Sequence, residues 1–225
     1  MNRREFVFSA LAGVIGLSER SEGARQAKTE APDLGSLAET NRLKLFNRGA
    51  SRLVDGARNG IRLSEASGEG VAFLPEIEFA NGTLAFDVRG KDLAQRSFVG
   101  VAFHGVDAAA YDAVYFRPFN FRAGDPAGRS HAVQYHSLPA YTWQKLRTDS
   151  PGKYEQAVTP VPDPNAWFRA RVVIANPKLT VFVGDSKEPC LAVDLLNHRK
   201  KGLVGLWVGN NSGGDFANLT ITAAD

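Results

Sequence analysis

From residue 41 onward, apolar and polar side chains alternate in short runs cut by turn residues, and no stretch keeps a helical period. A period of two puts successive side chains on opposite faces of an extended strand. In TLAFDVRG (83–90), Leu84, Phe86 and Val88 share one face and Ala85, Asp87 and Arg89 the other. In SFVGVAFHG (97–105), Val99, Val101 and Phe103 are expected to face a core, with Gly100, Ala102 and His104 outward. YDAVYFRPF (111–119) turns Val114 and Phe116 inward and Tyr115 and Arg117 outward, and Pro118 ends the strand or marks an edge. HAVQYHS (131–137) sets Val133 and Tyr135 against Gln134 and His136. WFRARVVIA (167–175) and KLTVFVGD (178–185) pair across Asn176-Pro177, and ANLTITA (217–223) places Ala217, Leu219 and Ile221 together. Asn81-Gly82 reads as a hairpin turn. The pattern gives roughly eleven to thirteen strands, enough for two packed antiparallel sheets. No internal repeat of fixed period is present, which argues against a propeller or solenoid.

A chain of 225 residues suits one all-β domain plus a leader. The 22 glycines and 14 phenylalanines fit short strands joined by turns better than helices. A net charge of +3, evenly spread, does not suggest nucleic acid as a partner. The lone Cys190, in the apolar run PCLAVDL, allows no intrachain disulfide and reads as a buried, inert thiol. Arg3 and Arg4 precede an uncharged apolar run from Phe6 to Leu17 that is too short to span a bilayer. This is the layout of a secretory signal, and NRREFVF resembles the twin-arginine export motif of bacteria. Residues 1–30 are therefore expected to be an export signal and tether, with polar sequence continuing to residue 40. A sandwich over 41–225 follows, periplasmic or secreted, with no stable membrane span after signal removal.

Residues 111–145 interleave aromatic and cationic side chains at strand spacing. Flat rings can cover the apolar face of a sugar, and fixed donors can meet its hydroxyls. The candidate ligand-binding residues are His104, Tyr115, Arg117, Asn120, Gln134 and Trp143, and the expected partner is a saccharide. Against this stands ordinary packing beneath the long Pro-rich segment 138–165, which either wraps the surface or builds a site. The four histidines show no metal-ligand spacing, and GNNSGGDF (209–216) reads as an Asn/Gly turn rather than a calcium loop. No cofactor and no metal are expected, and HRKK (198–201) reads as a solvated basic turn.

The order WFRARVVIA, KLTVFVGD, KKGLVGLWVGN and DFANLTI resembles the C-terminal half of concanavalin A-like lectin/glucanase jelly rolls. It looks closest to secreted bacterial 3-keto-disaccharide-hydrolase-like or family-16-hydrolase-like domains. The resemblance implies an all-β, two-sheet antiparallel jelly-roll sandwich that meets carbohydrate. A glycoside hydrolase or lyase acting on a keto-disaccharide is one alternative, and a structural or protein-interaction sandwich another. The E-x-D-x-E acid run of family-16 enzymes is absent; the nearest string is Glu76-Ile77-Glu78. Asp87, Asp112, Glu155, Asp194 and Asp215 are the other carboxylates weighed, and none is marked as a catalytic pair.

Overall fold

In a computed structural model, described over residues 28–224, fifteen strands form two antiparallel sheets. In chain order they are β1 (Thr29–Glu30), β2 (Lys44–Phe46), β3 (Ala50–Asp55), β4 (Arg58–Leu63), β5 (Gly70–Phe79), β6 (Gly82–Arg89), β7 (Val99–Asp107) and β8 (Ala110–Phe116). There follow β9 (Val133–Ser137), β10 (Glu155–Gln156), β11 (Phe168–Ala175), β12 (Lys178–Val183), β13 (Leu191–Asp194), β14 (Gly202–Val208) and β15 (Gly214–Ala223). Four short helices join them: α1 (Leu34–Glu39), α2 (Pro118–Phe121), α3 (Pro126–Ser130) and α4 (Trp143–Asp149). The eight-stranded sheet runs β13-β12-β11-β6-β15-β4-β3, with β1 added on β15. The seven-stranded sheet runs β10-β9-β8-β7-β14-β5-β2. This is the jelly-roll sandwich the alternation and the resemblance imply.

The core lies between the sheets, where Leu84, Phe86 and Val88 meet Val99, Val101, Phe103, Val114 and Phe116. All of these are fully buried, on the faces the period of two assigned them. A second apolar cluster covers the outer face of the seven-stranded sheet: Val71, Phe73, Tyr111, Tyr115 and Trp207 over Ala102 and Ala113. Small residues beneath leave room for the large rings. A Cβ at Gly205 would come within 2.8 Å of both Phe73 and Val71.

Several expectations are corrected. Asn81-Gly82 is no hairpin turn: β5 and β6 lie in different sheets, so the pair turns the chain from one sheet to the other. Gly82 there has φ +132, and a Cβ would collide with the Thr222 carbonyl at 2.0 Å. His104 does not face outward. A register shift follows Phe103, His104 takes φ 48, and its side chain turns into the interior, fully buried. Its Nε2 lies 2.7 Å from the Ala80 carbonyl. Asn218, at φ 50, marks a second bulge that takes Ala217 out of the face shared by Leu219 and Ile221. The sandwich also begins before residue 41, because β1 pairs with β15 and α1 buries Leu34 and Ala38. The expected export motif lies outside the described residues.

The HRKK turn is not simply solvated. Arg199 reaches into the sandwich to the fully buried Asp112, at 3.3 Å. Asp112 also accepts hydrogen bonds from the Tyr135 hydroxyl (2.6 Å) and the Asn197 amide (2.6 Å). Burial alone would raise the Asp112 pKa, but these partners, together with His104, hold it below the usual carboxylate range. Cys190 is half-buried, and burial pushes its thiol up to about 11.

Candidate functional site

One end of the outer face of the seven-stranded sheet opens into a cavity of about 440 Å³. Its floor is Tyr115 on β8 and Trp207 on β14, whose rings sit 4.7 Å apart between centroids. Phe98 packs edge-on against Tyr115 at 6.3 Å and against Phe119 of α2 at 5.4 Å. Pro118, at the first position of α2, starts that helix with its fixed φ and so carries Phe119 and Asn120 over the strand ends. The turn ending α3 brings in His131.

The segment 138–165, expected to be an irregular loop, contains α4. Thr142 caps the helix by accepting a hydrogen bond from the Lys145 backbone N–H. Trp143 and Arg147, four residues apart, therefore share the helix face that borders the cavity. The Arg147 guanidinium lies 5.2 Å from the Trp143 ring centroid.

Beneath the cavity is a charged network. Arg117 is 5% exposed. Its Nη1 donates to the His131 carbonyl at 2.7 Å, and its Nη2 donates to the Tyr115 hydroxyl at 2.8 Å and to Gln134 Oε1. The Tyr115 hydroxyl in turn donates to Gln134 Oε1 at 2.7 Å. Glu155 on β10, nearly buried, accepts a two-pronged pair from Arg147 at 2.9 and 2.6 Å. His131 Nδ1 lies 2.9 Å from Glu155 Oε2, but off the direction of a good hydrogen bond. Burial pushes the Glu155 pKa up, and the Arg147 pair, with His131 and Arg117, outweighs it and brings the group below its ordinary value. Burial pulls the Arg117 guanidinium down and raises the Tyr115 phenol. Both keep their ordinary neutral-pH charge states.

Of the six candidate residues, Tyr115, Arg117, Asn120 and Trp143 line this cavity. Gln134 lies beneath it, fully buried, holding Tyr115 and Arg117 in place. His104 is elsewhere, inside the sandwich. Glu69, Trp207 and Arg147 also line the cavity and were not singled out, and Asn210 reaches it from the GNNSGGDF turn. Arg147 was legible in principle, since T-W-Q-K-L-R carries a helix cap and an i,i+4 pair. Glu69 was not: it comes from the far side of the sheet, where its carboxylate accepts a 2.6 Å hydrogen bond from the Tyr111 hydroxyl.

The five carboxylates weighed for catalysis are each held by a cation. Asp87 pairs with Arg58 and Arg169, and Asp215 with Arg62 and Arg89. Asp194 pairs with Lys178, and Asp112 and Glu155 are held as described. None of the five lines the cavity.

No family model matches the sequence, and no curated protein matches it. Solved structures do match. A Bacillus subtilis protein of unknown function with a galectin-like fold superposes with TM-score 0.57 at 11% identity, over 86% of this chain and 94% of that one. A carbohydrate binding module from Bacillus subtilis, CBM66, gives 0.54 at 11% identity, over 80% and 98%. The fold is the concanavalin A-like jelly roll. The exoplasmic/lumenal domain of VIP36, solved in a Ca2+/Man3GlcNAc-bound form, gives 0.50 at 9% identity, over 81% and 84%. At these identities the likeness is one of architecture.

Proposed function

We propose that this jelly roll is an exported saccharide-binding domain whose site is the cavity at the end of the seven-stranded sheet. The observation that carries the reading is the pairing of an aromatic floor with fixed polar groups at its edge. Tyr115, Trp207 and Trp143 offer ring faces; Arg117, Arg147, Asn120 and His131 offer donors, and Glu69 an acceptor. A sugar ring has an apolar face and a belt of hydroxyls that both give and take hydrogen bonds, which this mixture matches. About 440 Å³ falls within the size range of small-ligand pockets. The carbohydrate binding module and the Man3GlcNAc-bound VIP36 domain among the similar folds support the same reading. A glycosidase needs two carboxylates flanking the bond, and Glu69 is the carboxylate on the cavity wall, which favours binding over hydrolysis.

The test is titration calorimetry against a panel of neutral oligosaccharides, with Arg117→Ala and Trp143→Ala beside the parent. The expected result is binding by the parent that both variants weaken. Equal binding by all three removes this site. Export is tested separately, by replacing Arg3 and Arg4 with lysine and following the protein's compartment.

A further inference from the structure

The wall of the cavity opposite Arg117 is built from two loops, residues 66–69 and 209–212, which supply Glu69, Asn210 and Asn211. Neither loop has apolar side chains in the main core. What joins them is Arg48. Its side chain is 7% exposed and pairs with no carboxylate among the described residues. Its guanidinium instead donates to backbone carbonyls from three chain segments. Nη2 reaches Ala66 (3.0 Å), Gly68 (2.6 Å) and Gly209 (2.8 Å), Nε reaches Ser212 (3.2 Å), and Nη1 reaches the carbonyl of Asn47. A ring of carbonyl oxygens around one positive charge is the environment of a bound hard cation, and here an arginine fills it.

The sequence is fitted to that arrangement. A Cβ on Gly70 would stand 2.2 Å from Arg48 Cγ and 3.0 Å from its Cζ, so the missing side chain is the space the arginine occupies. Gly68 has φ +76, which turns its carbonyl where an L side chain is strained. Neighbouring bonds follow the same design. The Asn47 amide donates to the carbonyls of Ser67 and Glu69, both at 2.8 Å. Asn210 Oδ1 accepts from the Gly68 N–H at 2.7 Å, and the Asn211 N–H donates to the Ala66 carbonyl at 2.9 Å.

We propose that Arg48 is a built-in cation that positions the Glu69 and Asn210 wall of the cavity, doing for these two loops what a bound metal ion would otherwise do. The role rests on the cavity being the binding site, but the structural part stands without any ligand. Carbonyls that have lost their donor become exposed or solvated, and their loops open locally.

The experiment is hydrogen exchange on the whole chain without ligand, comparing the parent, Arg48→Lys and Arg48→Ala, each with and without EDTA. Lysine keeps the charge but has no planar fork, so it satisfies fewer of these carbonyls. The expected result is no effect of EDTA on the parent. In both variants amide exchange rises at 66–69 and 209–212 by about tenfold or more, while β11 is unchanged. Low-millimolar guanidinium ion then restores protection in Arg48→Ala, and an equal concentration of urea does not. Exchange that rises evenly over all strands, or not at all in Arg48→Lys, overturns the proposal. So does a parent that opens when EDTA is added. If the parent also binds a saccharide by calorimetry, Arg48→Lys is expected to weaken it. A parent that binds no sugar removes the cavity reading and leaves the exchange result to decide the role of Arg48.

Discussion

The outer faces of the two sheets use the same residue types to opposite ends. On the eight-stranded sheet, Arg58, Arg62, Arg89 and Arg169 stand among Asp55, Asp87 and Asp215, and Trp167 lies under Arg58 and Arg89 at 5.1 and 4.7 Å. Every one of those guanidiniums meets a carboxylate. On the seven-stranded sheet, Arg117 and Arg147 share the single acid Glu155, and rings outnumber charges. The short helices α2, α3 and α4 then raise walls around that end of the face. Aromatic rings and arginines alone therefore do not make a binding surface. A site needs a concavity lined by ring faces as well, and here the short helices raise one around Tyr115 and Trp207.

Substitutions can separate the two faces. The largest effect is expected from Arg117→Ala, which strips the donor from Gln134, the Tyr115 hydroxyl and the His131 carbonyl. A loss of about 3 kcal/mol in urea denaturation is expected, together with loss of saccharide binding. Asp215→Ala, on the other face, leaves Arg62 and Arg89 without this carboxylate. Because Arg62 is half exposed, a smaller loss of about 2 kcal/mol is expected, with binding unchanged. Weakened binding there would mean that the two faces are coupled. Trp143→Ala is expected to weaken binding about tenfold while stability moves by less than about 1 kcal/mol, since the ring sits at the rim.

The smallest effect is one of pH. Burial raises the Asp215 pKa, but hydrogen bonds and charge from Arg62 and Arg89 bring it below its usual value. Its folded pKa thus lies below an unfolded value of about 4. The stability it contributes is complete above that value and is lost as pH falls through the folded pKa. Acid titration of stability should therefore be shallower in Asp215→Asn than in the parent, most visibly below about pH 4. Equal slopes would mean that Arg62 and Arg89 do not hold Asp215 in its charged form.

The sequence by itself determined the all-β class and the core-facing residues of the regular strand stretches. Side-chain direction in a strand is a local property with a period of two, so Leu84, Phe86, Val88, Val114 and Phe116 could be assigned from their neighbours alone. It also brought Tyr115, Arg117 and Gln134 onto one face. Tertiary structure decided what local pattern cannot carry. A bulge after Phe103, set by pairing with β8 and β14, turned His104 inward. The change of sheet at Asn81-Gly82 depends on which strands lie alongside. Glu155 came to lie beneath the cavity by pairing with β9 across 21 residues, and Arg48 found carbonyls 18 to 164 positions away. Partners that distant leave no periodic trace in the chain, because the contact is fixed by the packing of the whole sheet and not by the spacing of residues along it.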